Sequence, residues 1–227
     1  MDRQLHFDLP RREALGRADF VVAEANALAL ALIDRPGDWP QGRLVLTGPE
    51  GAGKSHLVRV WAASGGATIL PATDLPDADI PRLAAGDTAV EDLDRSAGQR
   101  AVEEAMFHLL NLAAAEGGRV LVTARTPPRD WGLTLPDLLS RISAAQVARI
   151  EAPDDTLLSA VLMKHFADRQ LAPTPDAMAW LLTRLARRFD AVAEAAERLD
   201  RMALASGRSI NRALVRDLAA TAPHLFE

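Results

Sequence analysis

Eight consecutive residues, Gly48-Pro49-Glu50-Gly51-Ala52-Gly53-Lys54-Ser55, carry the spacing G-x-x-x-x-G-K-[ST]. Glycines at such positions let a backbone curl until its N–H groups converge on one point, and a helix starting there adds partial positive charge. The lysine after the last glycine brings an ammonium to the β- and γ-phosphates of a nucleotide, and the serine hydroxyl ligates Mg2+. The motif predicts a cradle for ADP or ATP with Mg2+. Lysine is scarce in this chain: of 26 basic residues only Lys54 and Lys164 are lysine, the rest being arginine. An ammonium kept at Lys54 against that bias agrees with a need for it there.

A second group of chemistry-bearing residues is Thr88-Ala89-Val90-Glu91-Asp92-Leu93-Asp94, a short apolar run that ends in acids. A carboxylate at the end of a strand beside a phosphate loop can hold Mg2+ through water, and the next can polarise an attacking water. Glu91 takes the metal-side role and Asp92 the water-side role. Other chemistries find no support. There are no cysteines, which excludes a disulfide framework, a thiolate metal site and a cysteine nucleophile. The five histidines, His6, His56, His108, His165 and His224, share no metal-ligand spacing. No G-x-S-x-G nucleophile turn occurs.

Elements must hold these groups in place. Arg43-Leu44-Val45-Leu46-Thr47 is a short apolar run stopped by Gly48, a buried strand leading into the loop. Lys54 to Ala63 reads as the helix that follows. Further strands are expected at 67–70, 88–90, 119–123 and 147–150. Helices are expected at 23–33, 99–116 and 135–145. That alternation implies a parallel α/β sheet covered on both faces. After Pro153 only helices are expected, at 154–170, 174–187, 191–206 and 209–220, with Asp154, Thr174 and Ser209 as N-caps. The reading is an α/β class with a five-stranded parallel base at 19–152, an all-helical lid at 153–227, and an extended arm at 1–18.

The chain has 227 residues, 48% apolar and 25% charged, ordinary globular usage. Its net charge of −5 argues against a general nucleic-acid coat. No run of about 18 apolar residues would span a membrane. The start, Met1-Asp2-Arg3-Gln4, lacks a signal-peptide core, so the expected location is cytoplasmic.

The phosphate loop, the acidic strand end and the helical bundle together resemble an AAA+ nucleotide-binding module. Phe20-Val21-Val22 before a helix, and Gly51-Ala52-Gly53-Lys54-Ser55-His56-Leu57, look like the branch of the replication initiator DnaA. Val122-Thr123-Ala124-Arg125-Thr126-Pro127-Pro128 resembles that branch's sensor 1 strand. Leu138-Leu139-Ser140-Arg141-Ile142 resembles its arginine-finger segment. In the arm, Gln4-Leu5-His6-Phe7-Asp8-Leu9-Pro10 is similar to peptides that bind the sliding clamp of bacterial DNA polymerase III.

A DnaA-like module with such an arm, and without the DNA-binding domain that DnaA carries after its lid, resembles the Hda family of regulatory inactivators of DnaA. The resemblance implies nucleotide contacts from Phe20, Val21, the loop 48–55, His56 and Thr123. It assigns clamp contacts to Gln4, Leu5, Phe7 and Leu9, and a finger acting in trans to Arg141. The sensor 2 position at the start of the third lid helix falls on Asp190, so either Arg187 or Arg188 just upstream takes that part or the contact is missing. Implied partners are the sliding clamp and DnaA. Self-association as a homodimer is compatible, and sequence-specific DNA binding is not expected. The competing readings are an autonomous AAA+ ATPase acting as a DnaC-like loader, and a DnaA-like DNA-binding module.

Overall fold

In β1 (Arg43–Thr47) every residue is buried, as a central strand of a sheet covered on both faces requires. The computed structural model describes residues 21–226. The arm, with Gln4, Leu5, Phe7 and Leu9, and also Phe20, lies outside those residues. Five strands, β1, β2 (Thr68–Pro71), β3 (Asp87–Glu91), β4 (Arg119–Ala124) and β5 (Gln146–Arg149), form one sheet in the order β2-β3-β4-β1-β5. All pairs are parallel, with Thr47 opposite Ala124 and Leu44 opposite Gln146.

Side chains alternate across a strand, and the two faces are covered by different helices. Leu44 and Leu46 belong to one apolar cluster with Ala29 of α1 (Glu24–Ile33) and Leu57 of α2 (Lys54–Gly65). Val45 and Val122 face the other way. They pack with Leu83 of α3 (Ile80–Ala84), Met106 of α4 (Arg100–Glu116), and Leu138 and Ile142 of α5 (Pro136–Ser143). The phosphate-loop helix and the helix of Arg141 therefore lie on opposite faces of the sheet.

A third cluster draws on residues 158–225 alone. It unites α6 (Asp155–Asp168), α7 (Pro175–Leu182), α8 (Phe189–Ser206) and α9 (Arg212–Thr221). Asp154 caps α6 as expected, accepting from Leu157 N–H at 2.7 Å. Two expectations need correction. α7 stops at Leu182, because the chain turns there to bridge Leu185 to Phe226 and to bond Ala186 N–H to Leu225 O. α9 is capped by Asn211 rather than Ser209; its Oδ1 accepts from Leu214 N–H at 3.1 Å. No helix among the described residues is long and apolar enough to cross a membrane.

Candidate functional site: the phosphate loop and the arginine helix

β1 delivers the loop at its C-terminal end, where Gly48 N–H donates to Ala124 O of β4 at 3.3 Å. Gly51 and Gly53 have φ of 71° and 95°, the left-handed region where glycine carries no Cβ penalty. Leu57 N–H bonds back to Gly53 O, so the amides of Lys54, Ser55 and His56 have no carbonyl behind them in α2. That set of donors suits the oxygens of a diphosphate. Lys54 is 8% exposed, and its Nζ donates to Gly48 O at 2.7 Å and Pro49 O at 2.9 Å. Burial lowers its pKa; the charges of Asp92, Asp94 and Glu50 work against that, while Arg125 adds to it. Lys54 is thus a buried cation in a field of three carboxylates. Ser55 is exposed at the first turn of α2.

The acids leave the end of β3. Glu91 is half-buried. Asp92 takes φ of 56°, uncommon for a residue with a side chain, and is held there because its N–H donates to Thr123 Oγ1 at 3.0 Å. Thr123 is buried, so this hydroxyl, expected to read nucleotide, orders the acidic turn. Two groups went unassigned in the sequence. Asp94, with its side chain only 7% exposed, accepts from Arg125 N–H at 3.0 Å and Nε at 3.4 Å. Arg95 bridges Glu50 of the loop at 3.4 Å and Asp92 at 3.8 Å. No group of three His, Asp or Glu able to hold a metal occurs among the described residues. A Mg2+ here would draw on Ser55, Glu91 and phosphate oxygens together.

The helical bundle reaches the loop at the start of α8. Phe189 N–H donates to Gly51 O at 2.9 Å. A Cβ on Gly51 would meet Arg188 Cβ and Asp190 Oδ1, and one on Gly53 would meet the Phe189 ring. The two arginines separate: Arg188 lies over the loop, while Arg187 pairs with Asp155 of α6 at 2.7 Å. Asp190, the residue expected at the sensor 2 register, pairs with Arg188 at 3.6 Å. His56 lies within electrostatic reach of His165 of α6, whose pKa is lowered by burial and then by Arg169. Val21 O accepts from Asn26 Nδ2 at 3.0 Å, at the start of α1.

Arg141 is elsewhere. It lies in the last turn of α5, half-buried, with its guanidinium carbon 5.3 Å from the centre of the Phe107 ring. No carboxylate among the described residues pairs with it. Its close charged neighbour is another cation, Arg43, whose own pKa is lowered by burial and by Arg141. Arg43 opens β1 and donates Nη2 to Leu110 O at 3.0 Å. The four-residue rise from Arg43 to Thr47 is roughly 13 Å. Arg141 thus sits on the far face, and toward the far end of the strands, from the chain's own phosphate loop. A ring holds a guanidinium by its face and leaves its in-plane donors free.

Known proteins bear on this geometry. Domain III of the replication initiation protein DnaA from Thermotoga maritima aligns with a TM-score of 0.79 over 96% of this chain and 100% of that one, at 14% identity. The fold is that of DnaA domain III. DnaA from Aquifex aeolicus, solved with AMPPCP bound, aligns with a TM-score of 0.68 over 81% of this chain and 63% of that one, at 16% identity. In sequence, the chain is similar to the chromosomal replication initiator protein DnaA of Sphingopyxis alaskensis, 29% identical over 87% of this chain and 49% of that protein. The chain therefore spans about half the length of that curated relative. No protein-family model matches it. The five-stranded parallel sheet expected from the sequence is the sheet of DnaA domain III.

Proposed function

We propose that the chain binds an adenine nucleotide through residues 48–55 and acts in replication initiation as a negative regulator of the Hda kind. In this reading Arg141 enters the nucleotide site of DnaA and speeds hydrolysis of the ATP held there. Water attacks the γ-phosphorus, the bond from that phosphorus to the β,γ-bridging oxygen breaks, inorganic phosphate and a proton leave, and ADP stays on DnaA. Negative charge spreads over the equatorial oxygens in that transition state, and the planar donor fork of a guanidinium meets it. An arginine supplied in trans is worth roughly 10³–10⁵ in rate. Gln4, Leu5, Phe7 and Leu9 dock on the sliding clamp and so confine the event to replicated DNA.

The observation that carries this reading is the placement of Arg141 across the sheet from its own loop, with no carboxylate partner among the described residues and a cation beside it. Such a group suits an anion brought by another molecule. On the chain's own side, Lys54, the loop amides and Arg188 hold the nucleotide, and Ser55 and Glu91 would hold a Mg2+ that neutralises its phosphates. The nearly buried Asp94 beside Arg125 supports the second reading, an autonomous ATPase.

A pull-down with sliding clamp and DnaA, run with ADP and with ATP, tests the proposal. Both partners are expected to be retained, and replacing Leu5 and Phe7 by alanine should release the clamp while leaving nucleotide binding intact. Retention of neither partner, with ATP turned over by the chain alone, moves the autonomous-ATPase reading ahead.

A further inference from the structure

Glu103 is 1% exposed, yet no cation among the described residues pairs with it. A carboxylate so placed is tolerated only when donors meet its charge. Oε1 accepts from Gly98 N–H at 2.7 Å and Thr134 N–H at 3.1 Å. Oε2 accepts from the Thr134 hydroxyl at 2.8 Å, Thr134 N–H at 3.0 Å and Leu135 N–H at 2.7 Å. Burial would raise its pKa, but these bonds outweigh that and hold it below the usual carboxylate value.

The donors come from two places. Gly98 directly follows Ala97, the last residue of the turn that opens at Asp92, and Leu135 is the N-cap residue of α5. One carboxylate therefore joins the acidic turn to the helix of Arg141. Four residues further along the same face of α4, the Phe107 ring supports the guanidinium. α5 has only eight residues, and a helix that short does not hold itself in water. α4 grips it at both ends.

We propose that Glu103 and Phe107 are positioning residues for Arg141, Glu103 fixing where α5 begins and Phe107 fixing the guanidinium, so that the arginine meets a partner's nucleotide already oriented. The inference rests on the trans-acting reading of Arg141. Its weight follows from geometry, since a displacement of about 1 Å in a catalytic group can cost 10²-fold in rate.

The test is single-turnover hydrolysis of labelled ATP on DnaA, with clamp-loaded DNA and the full chain. Glu103→Gln keeps the shape but turns an amide NH2 toward donors. It should lower the maximal stimulated rate by about 100-fold and speed hydrogen exchange at the Thr134 and Leu135 amides. Phe107→Leu keeps apolar bulk without the ring face and should lower the rate about tenfold at an unchanged half-saturating concentration. Phe107→Tyr should restore it. The discriminating measurement adds each change to Arg141→Ala, where neither should lower the residual rate further. A general structural role would lower it in both backgrounds and would also abolish the ADP-dependent rise in melting temperature. Should Glu103→Gln fail to fold, the Phe107 series decides alone.

Full stimulation by Phe107→Leu, or losses that persist on Arg141→Ala, overturns the inference. If Arg141→Ala itself stimulates like the parent, the trans-acting reading has failed first and the inference goes with it. An inactive Arg141→Ala beside a fully active Phe107→Leu sinks this inference only.

Discussion

The phosphate loop and the arginine helix are built in contrasting ways. The loop is contiguous: eight residues in a row bring their own turns, amides, ammonium and hydroxyl, and distant residues such as Arg188 and Glu91 add to what is already there. The arginine helix carries one functional group, and what orients it comes from Glu103 and Phe107 of α4, and Arg43 of β1 lies beside it. A local motif specifies its chemistry in the order of its residues. A dispersed site specifies it through packing, so single changes far from Arg141 in sequence should damage it as much as changes near it.

Five substitutions break or sharpen that contrast. The largest effect is expected of Lys54→Ala, which removes the buried ammonium. At a ligand concentration 100-fold above Kd, bound ADP stabilises the parent by about 2.7 kcal/mol, and the variant should lose all of it. Thermal melting with and without ADP reads this directly; a variant that still shifts like the parent would remove Lys54 from the site.

Next comes Glu103→Gln, expected to destabilise by about 1.5–3 kcal/mol because charge-assisted hydrogen bonds are lost in a buried place. Its pH dependence has a defined sign. The folded pKa is depressed, so Glu103 contributes stability above the unfolded carboxylate value near 4.5, and the contribution fades as pH falls through the lower folded value. Urea unfolding between pH 7 and pH 3 should show a steeper loss in the parent than in the variant. Parallel curves would mean that the carboxylate is not held as described.

Gly51→Ala should cost about 1–2 kcal/mol for its left-handed backbone, and more where the new Cβ pushes on Arg188 and Asp190. Nucleotide affinity should fall with it, because the start of α8 must lift off the loop. Unfolding and fluorescent-nucleotide titration together check this; normal affinity would show that α8 does not contribute there. The smallest effect distinguishes the paired arginines. Arg188→Ala should weaken nucleotide binding, whereas Arg187→Ala breaks an exposed ion pair worth about 0–1 kcal/mol and should leave binding alone. The reverse result would exchange their roles.

This division also explains what the sequence disclosed. Strand runs ending in glycine or acids, the phosphate loop and the apolar spacing of α4 are periodic or local, and the sheet assembles from them as expected. Helix ends set by tertiary contacts were not legible. α7 stops at Leu182 because residues 185 and 186 pair with the C-terminal segment, and α8 starts at Phe189 because its amide bonds Gly51 O. α3 hides behind Pro81 in its first turn, where proline reads as a loop although it suits a helix start. Glu103 did leave a signal: with Met106 and Leu110 it lies at i, i+3 and i+7, an acid on the buried stripe of a helix. Asp94 left a fainter one, as the last acid of the string that Glu91 and Asp92 begin.

The central claim is that Arg141 acts on a nucleotide held by another protein. Single-turnover hydrolysis of ATP preloaded on DnaA, with clamp on DNA and either the parent chain or Arg141→Ala, tests it most directly. The expected result is stimulation by the parent and a loss of roughly 10³-fold or more in the variant, with its ADP binding and clamp binding unchanged. Equal stimulation by the variant would contradict the claim and move the search to Arg125 and Arg149.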